Sequence, residues 1–125
     1  MDVRLSFVVL ATAVGLTSAA QALGQPRQAG GCRWVYGRFA VYNGSGVQRI
    51  WIIGTRRIVA IPDDDPAPLP ETLKAFEKVR TVDGELIADF HVCALEPRRA
   101  GHMQHVRVDG VRSARYEGRP FPPGG

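Results

Sequence analysis

Apolar and polar positions alternate most clearly over Cys32–Tyr42, which reads CRWVYGRFAVY. Val35, Phe39 and Val41 fall on one side, and Trp34, Tyr36, Arg38 and Tyr42 on the other, the period-two pattern of a half-buried strand. Asn43-Gly44-Ser45-Gly46 comes next and carries hairpin chemistry, since asparagine and glycine accept the positive φ of a tight turn. A return strand over Val47–Ile53 follows. After a break at GTRR, a third strand runs over Arg57–Ile61.

The stretch PDDDPAPLP cannot continue a sheet, because its four prolines lack donors and its three acids prefer water. Glu71–Val79 then switches to helical spacing, with Leu73, Phe76 and Val79 toward one side and Pro70 at the first turn. TVDGE turns the chain into a fourth strand, Leu86–Leu95, where Leu86, Ala88, Phe90, Val92 and Ala94 alternate. A fifth strand is predicted over Met103–Val111, with Val106 and Val108 inward. The tail EGRPFPPGG, residues 117–125, reads as disordered.

Three strands, a short helix and two strands is the order of the OB-fold, a five-stranded partly open barrel with its helix between strands three and four. A mainly β, OB-like barrel over residues 32–116 is therefore expected, with a small β-sandwich or roll as the alternative.

The start of the chain belongs to a different class. Met1–Arg4 is charged, Leu5–Leu16 is apolar, and Ala20-Gln21-Ala22 is a small-residue cleavage box. Residues 1–22 thus have the layout of a secretory signal peptide; the apolar run is short for a membrane span, which takes roughly 20 residues. Residues 23–31 read as a flexible leader, and the expected location is the periplasm or the outside of the cell. Asp2 and Arg4 cancel, so cleavage leaves the net charge at +4.

Export changes the reading of the cysteines. Cys32 and Cys93 are the chain's two cysteines, and an oxidising compartment makes a disulfide between them the default over two separate thiols. The barrel order supports this, since strands one and four of an OB-fold pair antiparallel and bring the two residues together. Directly opposed cysteines would set Trp34 against His91 and Tyr36 against Asp89.

YNGSGVQRIWIIGTRRI, DFHVCALEP and VRVDGVRSA together resemble a family of small exported bacterial proteins without an assigned activity. The resemblance covers roughly residues 32–115, and RIW..GT.R (Arg49 to Arg57) is its most specific element. It implies export and a domain extent. It implies no mechanism.

Between Arg27 and Arg57 there are six arginines and no acid. Interleaved with Trp34, Tyr36 and Tyr42, Arg38 and Arg49 could form a stacking platform, with rings for sugar faces or bases and guanidinium groups for anions. An ordinary solvated sheet face has the same composition, and Trp51 among three isoleucines fits either core or surface. The ligand expected is an anionic or carbohydrate envelope component, or a protein partner; nucleic acid does not suit an exported protein of such mild charge.

The alternative function is metal binding by His91, His102 and His105. Residues three apart on a strand point oppositely, so His102 and His105 converge only if a turn precedes the strand. Asp63–Asp65 lacks calcium-loop spacing. Residues 23–125 contain only Ser45 and Ser113 as serines, neither in a nucleophile elbow, and paired cysteines offer no thiol. Catalysis and cofactors are accordingly not expected. Asn43-Gly44-Ser45 would be a glycosylation site only in a eukaryotic host.

Overall fold

Strand β1 (Cys32–Tyr42) buries Val35, Gly37 and Phe39 and exposes Trp34, Tyr36 and Tyr42, as its alternation requires. It lies in a computed structural model that describes residues 30–42, 44–65 and 67–122 of the chain. The expected signal peptide, most of the leader, and Asn43 fall outside the described residues.

Strand β2 (Val47–Ile52) returns antiparallel to β1, and β3 (Ile58–Ile61) continues antiparallel to β2. On its other edge β1 pairs antiparallel with β4 (Glu85–Ala94), which in turn pairs with β5 (Gln104–Tyr116). The ring closes where β5 runs parallel to β3 through Val59↔Gln104 and Ala60↔His105. The order around the ring, β1-β2-β3-β5-β4, with α1 (Glu71–Val79) between β3 and β4, is the OB-like arrangement the pattern predicts. The sandwich alternative is set aside.

Cys32 stands opposite Cys93, Trp34 opposite His91 and Tyr36 opposite Asp89, the register expected from opposed cysteines. The cysteines are disulfide-bonded. Cys93 is fully buried although alternation sets it opposite the core residues. The cause lies in β5, where Val92 pairs with Val108 and His91 with Gly110, so that Asp109 is bulged out over the sulfur. Its Oδ2 approaches Cys93 Sγ at 3.1 Å, and its carboxylate also accepts from Arg107 at 2.7 Å.

Helix α1 has no side-chain cap; the Pro70 carbonyl accepts from Leu73 and Lys74 instead. Leu73 and Phe76 are fully buried and plug the ring. Val79, expected beside them, is 58% exposed. Its offset of six residues from Leu73 is about 240° of helical rotation, which carries it off the buried face.

Of the expected tail, residues 123–125 lie outside the described residues, while 117–122 are described. Arg119–Pro120 forms a short strand, β6, paired with Arg115 and Tyr116, and Phe121 packs edge-on against Phe76 and Tyr116. One aromatic ring offsets the proline and glycine content that reads as disorder. Likewise β5 runs five residues beyond Val111, because Ser113 at φ 54° absorbs a second bulge and lets pairing resume at Arg115.

Gly37 is required by packing. A Cβ there would lie 2.5 Å from Ile50 Cγ2 and 3.1 Å from the Trp51 carbonyl oxygen. A strand glycine replaced by alanine ordinarily gains several tenths of a kcal/mol. Here the clash wins, and Gly37→Ala is expected to lose about 1–3 kcal/mol in urea unfolding. A variant as stable as the wild type would show that Ile50 moves aside freely.

Candidate functional site

The five residues expected on the binding face do share the outer side of β1 and β2. Trp34, Tyr36, Arg38 and Tyr42 alternate along β1, and Arg49 stands opposite Ala40 on β2. Arg49 lies over the Tyr42 ring at 4.3 Å, and Arg38 over Trp51 at 5.1 Å. Trp51 therefore belongs to this face, half-buried opposite Arg38, with its Nε1 donating to the Thr55 carbonyl at 2.8 Å.

Two further residues join the face: Arg112, which was not legible in the sequence, and His91, which opposed cysteines set against Trp34. Arg112 lies 4.0 Å over Trp34, and His91 tilts against the same indole at 5.0 Å. Arg112 reaches this face because the Asp109 bulge resets β5 alternation and sets Arg112 opposite Asp89. Acids complete the face: Glu85 lies 3.2 Å from Arg38 Nε, and Asp89 3.6 Å from Arg112 Nε. Each partner keeps about a third or more of its side chain exposed, so neither pair is worth more than about 1 kcal/mol. Their effect is positional. The guanidinium groups of Arg38, Arg49 and Arg112 lie over rings, and Tyr36 is the most exposed ring of the face at 54%.

The end of the ring beside the disulfide has a different character. Arg33 of β1, Arg57 just before β3 and Arg98 of the β4–β5 loop border one cavity. Burial first, and then the charges of Arg33 and Arg98, push the Arg57 guanidinium below its ordinary value. Arg57 Nη2 donates to Gln104 Oε1 at 2.9 Å, and Gln104 Nε2 donates to the Glu96 carbonyl at 2.9 Å. The His105 backbone N–H donates to the Glu96 carboxylate at 3.0 Å and, as the leading cause, holds it below the usual carboxylate range. These bonds fix the loop that carries Arg98 and Arg99.

The histidines do not converge. His91 sits in mid-β4 against Trp34, His102 in the β4–β5 loop, and His105 on β5 at 3.3 Å from Glu96. Among the described residues, the group of donors close enough to share an ion is Cys32, Cys93 and Asp109, and its two sulfurs are bonded to each other. In the acidic loop Asp65 accepts from the Ala67 N–H at 2.8 Å, a local turn bond. Ser45 accepts from Val47 in the hairpin, and Ser113 lies exposed in a bulge.

Among the described residues no helix is long and apolar enough to cross a membrane. The disulfide is compatible with an oxidising, exported location. Comparison of the chain with protein-family models, with curated proteins and with solved structures finds no match to any of them.

Proposed function

We propose that the protein is an exported binding module that engages an anionic or carbohydrate component of the cell envelope through the outer face of β1 and β2. One observation carries this reading. Trp34, Tyr36 and Tyr42 leave 43%, 54% and 44% of their surface exposed on one face, interleaved with arginines whose guanidinium groups lie over neighbouring rings. A guanidinium already immobilised by stacking loses less freedom when it grips a carboxylate or phosphate. The exposed rings add flat apolar area for a sugar face.

The Trp, Tyr and Arg content is also that of protein-interface anchors, which favours an acidic protein surface as the second reading. The layout of residues 1–22 and the disulfide support a periplasmic or secreted location, and the resemblance to small exported bacterial proteins points the same way. Binding, not catalysis, is the role proposed for this face.

The test compares polygalacturonate with its neutral methyl ester by calorimetry. The wild type is expected to prefer the acidic polymer. The double variant Trp34→Ala, Arg38→Ala is expected to bind it about 30-fold more weakly, at the level of one interface anchor. Its thermal unfolding should change little, since both side chains lie outside the core. Equal binding by wild type and variant would remove the face from any role in recognition.

A further inference from the structure

Arg33, Arg57 and Arg98 come from three separate segments and line one cavity of about 290 Å³. Its remaining walls are mainly apolar, with Val59, Val92 and Val106 behind the guanidinium groups. A second cavity of about 390 Å³ shares Arg57, Arg98 and Gln104 with it and adds Arg56, Arg99 and His102. No carboxylate lines either cavity among the described residues.

That arrangement contrasts with the ion-paired arginines elsewhere on the surface. Arg38, Arg107 and Arg112 each lie within 4 Å of an acid. Arg33, Arg57 and Arg98 form no ion pair with an acid among the described residues. Three cations around an apolar-walled hollow repel one another, and the low-dielectric wall weakens the screening that water would give. Burial first, and then the charges of Arg33 and Arg98, lower the Arg57 guanidinium from its ordinary value.

The crowding is built in. The disulfide ties the start of β1 to the end of β4, and Ala94 N donates to the Gly31 carbonyl beside it. The Gln104 and Glu96 bonds anchor the opposite wall. Arg57, held by Gln104 before a ligand arrives, loses little freedom in gripping it. Three guanidinium groups bordering one hollow suit a tetrahedral oxyanion with two negative charges, which accepts from more than one donor at once.

We infer that this cavity binds a phosphate-bearing group, with the adjoining hollow taking the alcohol or sugar that carries it. The site is separate from the aromatic face and does not rest on that reading. Its ligand would be a soluble phosphate ester or a phosphorylated lipid headgroup, which share the chemistry.

The test uses the disulfide-bonded protein purified after export. Calorimetry measures glucose 1-phosphate, glucose and sulfate; flotation measures phosphatidylcholine vesicles with and without phosphatidate. Glucose 1-phosphate should bind, glucose should not, and affinity should fall as salt rises. Arg57→Gln should weaken binding about tenfold. Arg33→Gln combined with Arg98→Gln should do at least as much while keeping the Arg57–Gln104 bond and the fold. Arg119→Gln removes one charge from exposed β6 and should leave binding unchanged.

Binding to phosphatidate vesicles alone, with the same dependence on the arginines, would support the site and name the lipid as its source. Sulfate bound as tightly as the phosphate ester would overturn the assignment to phosphate. No binding to any probe, or binding indifferent to both sets of arginine substitutions, would overturn the site.

Discussion

Replacing Cys32 and Cys93 with serine lowers the stability of this protein by about 4 kcal/mol, a large part of the whole for a domain this small. The magnitude follows from the loop. The disulfide spans 61 residues of sequence, and closing such a loop in the unfolded chain removes entropy worth roughly that amount at 25 °C. The position of the bond strengthens the expectation, because it clamps the first pair of a nine-pair ladder between β1 and β4. In thermal unfolding the loss should appear as a drop of about 20 °C. Reduction of the wild type by dithiothreitol should give the same shift as the double substitution. A loss under about 1 kcal/mol would mean that the ladder alone fixes the unfolded chain's return, and the entropic account would fail for this fold.

Much of this fold could be read from the chain because its strands are amphipathic and its turns carry explicit chemistry. The alternation in Cys32–Tyr42 sets the buried face, and the turn at Gly44–Gly46 fixes the hairpin to β2. The cysteine pair then supplies a long-range distance, and the β1–β4 register follows from it. Other features depend on contacts that local sequence does not express. The bulges at Asp109 and Ser113 shift alternation along β5, and a single glycine, Gly110, beside the first does not specify where pairing resumes. Phe121 packs onto the fold only because Phe76 and Tyr116 meet it from distant elements.

The candidate sites divide along the same line. The aromatic face was legible where a single strand presents it, since period two alone puts Trp34, Tyr36, Arg38 and Tyr42 together. Arg112 was not, because it arrives from β5 after a bulge. The arginine-lined cavity was equally hidden. Arg33, Arg57 and Arg98 are separated by dozens of residues and meet only when the ring closes. In the linear chain Arg57 reads as part of a turn, and Arg98 as a loop residue beside a proline.

Phe76→Ala is expected to lose about 3–5 kcal/mol, the cost of emptying a buried aromatic site that cannot collapse. Phe76 has no solvent exposure and meets Phe39, Tyr116 and Phe121 edge-on at ring separations of 5.9, 5.1 and 6.0 Å. It thereby joins α1 to β1, to the end of β5 and to the tail. Tyr116 in turn receives the Thr81 N–H at 3.2 Å, so loosening that ring also frees the chain beyond the helix. Urea unfolding followed by the fluorescence of Trp34 and Trp51 reads the global loss from the far side of the sheet. Amide exchange at Arg119 and Phe121 reads the local one, and both should change. The disulfide clamps the opposite end of β1: Phe39 lies seven residues from Cys32, about 23 Å along an extended strand. At that separation the two losses should add, so Phe76→Ala in the serine background should be unfolded at 25 °C. A folded triple variant would show that the two ends of the ring are not parts of one cooperative unit.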